Sequence, residues 1–283
     1  MTGSKPASEK PLARRPGHGA LFRFGLLFGS AALIAFLTLP LLGLLSSVRP
    51  LALLEHLMQR PILEALKLSV ITSVIATLLV VAFGLPTAYW LATRDFSGKR
   101  FAETLVYLPM VMPPTVAGLA LLLAFGRNGL AGAALEFFGI RLPFSTLGVV
   151  VAQAFMSAPF FVAPSRAAFV SLEERYAKTA ATLRASEGYT FWRITLPMCF
   201  PSLLAAAAMC WARALGEFGA TITFAGNMAG KTQTMPLAVY IAIQSDLDAA
   251  LALSVLLVAS SLAILFALQF TSVGLFSTRR AAR

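Results

Sequence analysis

Six long runs without a single charged residue dominate this chain and restrict the folds open to it. They are Phe24–Val48, Leu68–Thr93, Thr104–Gly126, Leu142–Ser165, Ile194–Ala212 and Ala249–Thr278. Each approaches or exceeds the roughly 20 residues that cross a hydrocarbon core of about 30 Å. Because lipid offers the backbone no hydrogen-bond partners, such spans must be helices. The runs predict an all-α polytopic membrane protein with six transmembrane helices.

The distribution of positive charge predicts how these spans are oriented. The chain is 58% hydrophobic and 12% charged, which is too apolar for a soluble domain, and its net charge is +11. With six spans, most Lys and Arg residues fall on the side of the two termini. The other side holds Arg49, Arg60, Lys67, Arg127, Arg141 and Lys231. This bias predicts cytoplasmic termini, and it explains the basicity without nucleic acid as a partner.

The chain divides into one membrane domain and two short tails. Residues 1–20 are rich in Pro, Gly, Lys and Arg and are predicted to be a disordered cytoplasmic arm. Residues 21–278 form the membrane domain, and residues 279–283 form a cytoplasmic tail. The first external loop, Arg49–Lys67, is predicted to contain a short interfacial helix. Proline predicts irregular helices in the third span (Pro109, Pro113, Pro114) and the fourth (Pro159, Pro164).

Motifs for catalysis, metals and cofactors are missing from the sequence. The stretch Gly226–Thr232 is one residue short of a phosphate-binding loop, follows no strand and is predicted to lie outside the cell. His18 and His56 are isolated, so no metal-ligand spacing exists. Cys199 and Cys210 are too few for a disulfide framework and are interpreted as small membrane hydrophobes. We therefore predict a protein that is not an enzyme and has no cofactor.

A charged stretch, Glu173–Arg193, interrupts the apolar sequence on the predicted cytoplasmic side. From Glu174 it has a helical pattern, and Gly188 is predicted to end that helix in a left-handed cap. The narrow apolar stripe of this helix consists of Tyr176, Ala177, Ala180, Ala181 and Leu183. Such a stripe either lies on lipid headgroups or docks in a groove of a soluble partner.

The segments Thr179–Leu183 and Thr190–Pro197 resemble the cytoplasmic EAA loop of binding-protein-dependent ABC importer permeases. The resemblance implies a coupling helix, within about residues 173–193, that docks in a groove of a partner ATPase. The implied coupling residues are Tyr176, Ala177, Lys178, Ala180, Ala181, Leu183, Arg184 and Gly188. Two of them depart from the family, because Lys178 stands at the usual Glu position and Arg184 at the usual Gly position. Since Arg adopts positive φ less readily than Gly, the elbow is expected to be regularised or shifted toward Gly188.

The fifth span carries the two ionisable residues that we place at membrane depth, Arg213 and Glu217. Four positions apart, they are predicted to lie on one helical face and to pair. The pair either belongs to a transport pathway or orients the helix within the bundle. Gly216 and Gly219 flank Glu217 and allow close helix approach or local bending.

The segments Arg213–Thr221 and Phe224–Asn227 resemble the sulfate/molybdate branch of these permeases. The segments Gly230–Tyr240 and Ser245–Ala250 resemble the molybdate permease subunits in particular. This resemblance, from about Arg60 to Phe270, implies a type I ABC importer transmembrane domain in the cell inner membrane. It implies a homodimer, two cytoplasmic ATPase subunits and a periplasmic or extracellular oxyanion-binding protein. The implied pathway residues are Arg213, Gly216, Glu217, Gly219, Thr221, Thr223 and Asn227.

Other functions remain open at this stage. Within the branch, tungstate or sulfate/thiosulfate are alternatives to molybdate. An intramembrane enzyme is disfavoured by the missing catalytic groups. A membrane scaffold that binds a soluble partner through Tyr176–Leu183 is a further alternative, and it would need neither Arg213 nor Glu217.

Overall fold

The structure is a computed structural model that describes residues 18–48, 59–182 and 186–281, with side chains omitted at 18–21, 173–182, 264–265 and 267–281. All regular elements within these ranges are helical. They are α1 (His18–Ser47), α2 (Arg60–Thr93), α3 (Lys99–Val111), α4 (Pro114–Phe125), α5 (Gly132–Phe137), α6 (Thr146–Thr182), α7 (Glu187–Thr190), a π-helical turn (Phe191–Thr195), α8 (Leu196–Leu215), α9 (Gly219–Ala225), α10 (Met235–Ser245) and α11 (Leu247–Ala281).

Helix α1 is a compact unit by itself, and the helices from α2 onward form a second unit. Apolar side chains stay exposed along α1, among them Phe28, Leu37 and Leu42. An apolar helix of 30 residues with such a surface suits a lipid environment.

Helix α2 begins earlier than the sequence predicts. Gln59 is extended and Pro61 occupies the first turn, where its missing N–H costs no hydrogen bond. The helix therefore runs for 34 residues from Arg60, and the predicted loop up to Lys67 is wrong in its second half. The predicted interfacial helix falls on residues 49–58, which lie outside the described residues.

Proline breaks one predicted span and leaves another intact. The third span is divided into α3 and α4 at Met112 and Pro113, both of which have extended ψ values. That irregularity is confirmed. Helix α6, in contrast, runs without interruption for 37 residues past Pro159 and Pro164, so the irregularity predicted for the fourth span is wrong. Neighbouring helices pack along α6, and Phe161 and Val162, between the two prolines, belong to the hydrophobic core.

Helix α6 lies at the centre of the second unit. It packs most extensively against α2 and α8, and it also contacts α3, α4 and α9. Helices α10 and α11 pack against each other, with α10 also on α2 and α11 also on α8. Small residues let the helices approach closely, as is common in membrane bundles. Fully buried examples are Ala76, Ala88, Ala152, Ala206, Ala214 and Ala220.

Four helical stretches in the described part of the chain are long and apolar enough to cross a membrane. They are Phe22–Ser47, Arg60–Thr93, Thr146–Leu172 and Glu187–Leu215. They correspond to the first, second, fourth and fifth predicted spans. The third predicted span is divided between two helices, α3 and α4, each too short to cross a membrane alone. In the region of the sixth predicted span, the apolar stretch Leu247–Ala263 is also shorter than a full span. The all-helical architecture is confirmed at the level of these four spans.

Candidate functional site

The centre of the candidate site is a helix break between α8 and α9. Helix α8 ends at Leu215, and Gly216 and Glu217 donate their backbone N–H groups to Ala212 O and Ala214 O, each at 3.2 Å. Phe218 then turns the chain before α9 starts at Gly219. The sequence predicted that Gly216 and Gly219 allow local bending here, but it did not predict that the helix ends.

Arg213 and Glu217 form an ion pair across this break. The distance between Arg213 Nη1 and Glu217 Oε2 is 2.6 Å, and the Glu217 side chain is 1% exposed against 24% for Arg213. The other carboxylate oxygen, Oε1, accepts a hydrogen bond of 2.8 Å from the N–H of Ala220. The pairing predicted from the spacing is therefore present. The prediction that both residues lie on one face of a continuous helix is wrong, because α8 ends at Leu215, between them.

Both oxygens of the Glu217 carboxylate thus have a defined partner. A buried carboxylate needs such partners because leaving water is costly for a charge. The bond to Ala220 also satisfies a backbone donor in the first turn of α9, where negative charge is favourable. Glu217 therefore couples the end of α8 to the start of α9. Sequence analysis missed this contact with the Ala220 N–H, although a carboxylate three residues before a helix position is a signal for it.

Helix α9 packs closely against α4 through glycine. A Cβ atom on Gly118 would lie 2.7 Å from Thr223 Cβ and 2.8 Å from Ala220 O. A Cβ atom on Gly219 would lie 2.6 Å from Pro114 Cβ. The close approach predicted for Gly219 is therefore present. Gly216 has no such role, since the nearest atom to its added Cβ would be Ala212 O at 3.6 Å.

The three predicted polar donors near α9 do not share one face. Thr221 and Thr223 are two positions apart on a helix, which places them on nearly opposite sides. Thr223 donates its hydroxyl to Gly219 O at 2.9 Å. Thr221 is fully buried, and its Oγ1 has no hydrogen-bond partner among the described residues. Asn227 follows Gly226, whose φ of 75° ends α9, and its buried Oδ1 is likewise without a partner there.

Gln153 is a further buried polar residue, which the sequence analysis did not predict as part of the site. It lies on α6, which packs against α9, and its side chain is fully buried. Neither amide atom has a hydrogen-bond partner within the described part of the chain. A lone Gln in an uncharged run was the signal, because polar groups at membrane depth are rarely without function.

The predicted coupling helix is a continuation of α6. Tyr176, Ala177, Lys178, Ala180 and Ala181 belong to its last turns, although their side chains are not described. Leu183 and Arg184 lie outside the described residues, as does any elbow there.

Gly188 does not end the coupling helix. The described part of α6 reaches Thr182, and Gly188 lies inside α7, without the positive φ of a left-handed cap. That prediction was wrong because a new helix starts at Ser186, whose hydroxyl oxygen accepts a hydrogen bond from the Tyr189 N–H.

Comparison with known proteins agrees with this architecture. The family described as "Binding-protein-dependent transport system inner membrane component" matches residues 81–279. The chain belongs to this family. It is a non-catalytic inner membrane permease of an ABC importer, as the resemblance of the coupling segment predicted.

Several relatives of this permease are informative. It is 47% identical over 194 residues to the molybdenum transport system permease protein ModB of Mycobacterium tuberculosis, covering 69% of this chain and 74% of that protein. ModB of Escherichia coli is 37% identical over 221 residues, covering 78% and 96%. The sulfate transport system permease protein CysT of Escherichia coli is 35% identical over 209 residues, covering 74% and 76%.

Solved structures support the fold of the permease. A bacterial ABC transporter involved in the import of the acidic polysaccharide alginate matches with a TM-score of 0.70 at 15% identity, over 89% of this chain and 95% of that chain. The alginate transporter in complex with a pentasaccharide-bound periplasmic protein matches with a TM-score of 0.69 at 16% identity, over 90% and 96%. At such identities the likeness concerns the fold alone.

Proposed function

We propose that two copies of this permease form the membrane pathway of an ATP-driven importer for a tetrahedral oxyanion, with molybdate as the substrate. The observation that carries the proposal is the similarity to molybdenum permeases, at 47% and 37% identity. Tungstate has the same shape and charge and remains an alternative. The 35% identity to a sulfate permease makes sulfate or thiosulfate the second candidate.

In the proposed topology the permease crosses the membrane six times, with both termini in the cytoplasm. Helices α3 and α4 together serve as the third span, and α11 serves as the sixth. The excess of Lys and Arg on the side of the termini supports this orientation. An external oxyanion-binding protein and two cytoplasmic ATPase subunits complete the assembly. The alginate transporter, whose fold is similar, is a precedent for a complex with a periplasmic protein.

Coupling to the ATPase is proposed for the segment at the end of α6. Its coupling residues remain those predicted from the sequence: Tyr176, Ala177, Lys178, Ala180, Ala181, Leu183, Arg184 and Gly188. The basic residues Lys178 and Arg184 stand where the family usually has Glu and Gly. We therefore expect this segment to dock on an ATPase surface whose local charge is altered to match.

The proposed pathway passes the break between α8 and α9. A dianion is repelled by an unpaired carboxylate in a low-dielectric site, so Glu217 must be neutralised. The ion pair with Arg213 supplies this neutralisation. The Thr221 hydroxyl, which has no partner in the described structure, and the amide N–H groups of Asn227 are the proposed hydrogen-bond donors to the anion. Gly216, Gly219 and Thr223 shape the backbone around them.

Uptake into proteoliposomes tests the proposal. The permease is reconstituted with its ATPase and binding protein, and ATP-dependent entry of molybdate is measured with tungstate or sulfate as competitors. We expect ATP-dependent molybdate uptake that tungstate inhibits more strongly than sulfate does. Uptake of sulfate with no uptake of molybdate would favour the second candidate. The scaffold alternative predicts binding of the ATPase without uptake of any of these anions.

A variant links the uptake to the pathway residues. Arg213→Ala is expected to lower uptake more than it lowers the amount of assembled complex. Arg141→Ala is the matched control, because it removes a cation from an exposed ion pair with Glu136. Normal uptake by Arg213→Ala at normal abundance would remove Arg213 from the pathway.

A further inference from the structure

The segment that returns from the coupling helix to the membrane has an unusual backbone. It consists of α7 and a π-helical turn of five residues, Phe191–Thr195, which leads into α8. We call Ser186–Thr195 the returning limb. Single π-helical turns are rare and often occur at functional sites. A turn of this kind allows the limb to pivot relative to α8 unless other contacts hold it.

Three aromatic rings hold the returning limb against two other helices. The Phe191 ring lies 4.6 Å from that of Tyr89 on α2 and 6.5 Å from that of Phe169 on α6, between centroids. Tyr89 and Phe169 are 5.4 Å apart in an edge-to-face arrangement. These separations lie in the range of attractive aromatic pairs. We call these three rings the aromatic clasp, and its Phe169 is 1% exposed.

An ion pair fastens the same limb to α2 at a second point. Arg94, the residue after α2, donates a hydrogen bond from Nη2 to Glu187 Oε2 in the first turn of α7. Both side chains are mostly exposed, at 56% and 78%. An exposed ion pair contributes at most about 1 kcal/mol, so this pair adds modestly to the aromatic contacts between the limb and α2. The limb therefore contacts α2 through Glu187 and, four residues later, through Phe191.

These contacts matter because α2 has no covalent link to the coupling segment. Helix α6 enters that segment directly, and α8 leaves it through the π-helical turn. A displacement of the segment reaches α6 along a continuous helix. It reaches α2 across packed side chains, and the returning limb is one of the surfaces that α2 touches.

We propose that the aromatic clasp and the Arg94–Glu187 pair transmit movement of the coupling segment to α2. The inference rests on the proposed function, because it assumes that an ATPase moves this segment. Phe191, Tyr89, Arg94 and Glu187 are then positioning residues, since none of them is required to touch the transported anion. Without the two contacts, the π-helical turn absorbs part of the movement, and ATP is hydrolysed without a matching transport step.

A charge swap tests the ion pair without endangering the fold. The variants Arg94→Glu and Glu187→Arg and the double swap are reconstituted with the ATPase and the binding protein. The quantity measured is the number of molybdate ions taken up per ATP hydrolysed. Each single variant is expected to lower this ratio by up to about 5-fold, and the double swap to restore it. The control Asp95→Lys breaks the neighbouring Asp95–Lys99 pair, which does not involve the limb, and should leave the ratio unchanged.

A second variant tests the aromatic clasp. Phe191→Leu keeps an apolar side chain but removes the ring contacts, and we expect the ratio to fall about 2- to 10-fold. Phe200→Leu is the matched control on α8, where the ring is 47% exposed. Melting temperatures of both variants should stay close to the wild-type value.

The outcomes separate the inference from the proposed function. If the wild-type complex takes up no oxyanion, the proposed function fails, and the inference fails with it. If the wild-type complex transports and all variants keep its ratio, the inference alone is overturned. A double swap that stays as low as the single variants would also overturn it, because the effect would then come from the individual charges and not from their contact.

Discussion

Removing Arg213 alone should be more harmful than removing Arg213 and Glu217 together. The single change leaves the Glu217 carboxylate 1% exposed and without its cation, with the Ala220 N–H as its remaining hydrogen bond. A buried charge that loses its partner typically costs about 3–5 kcal/mol. The double change removes the uncompensated charge as well. Buried ion pairs replaced as a unit are often close to neutral in stability.

The expected losses of stability differ because Glu217 is more deeply buried than Arg213. In Glu217→Gln the amide oxygen can still accept the Ala220 N–H, and Arg213, at 24% exposure, retains access to solvent. We expect this variant to lose about 1–3 kcal/mol, which is less than Arg213→Met. The double variant Arg213→Met/Glu217→Gln should be more stable than Arg213→Met alone. If the double variant is close to neutral, the coupling energy between the two sites equals the combined single losses, about 4–8 kcal/mol.

The assay combines stability with transport for the four proteins of the cycle. Melting temperatures of the purified permeases in one detergent give the order of stability, and uptake per assembled complex gives the activity. If the role of Arg213 is to neutralise Glu217, the double variant transports better than Arg213→Met. If Arg213 binds the anion itself, the double variant is stable but inactive. A melting temperature of Arg213→Met equal to that of the wild type would refute the reasoning.

Three further changes test packing, a buried hydrogen bond and the coupling segment. Gly118→Ala forces a Cβ atom to within 2.7 Å of Thr223 Cβ, so it should destabilise the permease by about 1–3 kcal/mol, measured as a lower melting temperature. Gly188→Ala is its control, because nothing lies within 4 Å of the added Cβ atom, and it should melt as the wild type does. Ser73→Ala removes the acceptor of the 3.0 Å hydrogen bond from the buried Trp211 Nε1 and should lower stability by about 1–3 kcal/mol. In a chain that already carries Trp211→Phe, the same Ser73→Ala change should cost less, because no indole N–H is left unpaired. Lys178→Glu should change the stimulation of the native ATPase by the binding protein, and an unchanged stimulation would exclude a charge role at that position.

Hydrophobic runs predicted the long helices well, because a membrane span leaves a strong pattern in the sequence. They predicted the short elements poorly. Helices α9 and α10 have 7 and 11 residues, too few for a span. They lie in a stretch from which we drew the family resemblance but for which we predicted no secondary structure. Local pattern was also insufficient at Pro159 and Pro164, where packing around α6 maintains a helix that proline alone would disturb.

The candidate site was predicted in part. Spacing identified the Arg213–Glu217 contact, because two residues four apart can pair on a helix and also across a tight break. Gly216 and Gly219 indicated local bending, but the close packing of α9 against α4 that accompanies the break is not visible in the sequence. Gln153 was not predicted as a site residue, since the sequence does not show that its amide is buried without a partner among the described residues. Lys178 and Arg184 stay predictions, because their side chains are not described.

The uninterrupted course of α6 restricts where insertions and deletions can be tolerated during evolution. At a rise of about 1.5 Å per residue, its 37 residues form one rod of about 55 Å, from the Thr146 end to the coupling segment. Each residue added or lost within the rod rotates everything beyond it by about 100°. A single such event between Leu172 and Tyr176 would turn the proposed docking stripe by about 100°, while Phe169 and the rest of the buried part of α6 would keep their contacts. The number of residues in this stretch should therefore be far less free to vary than their identities.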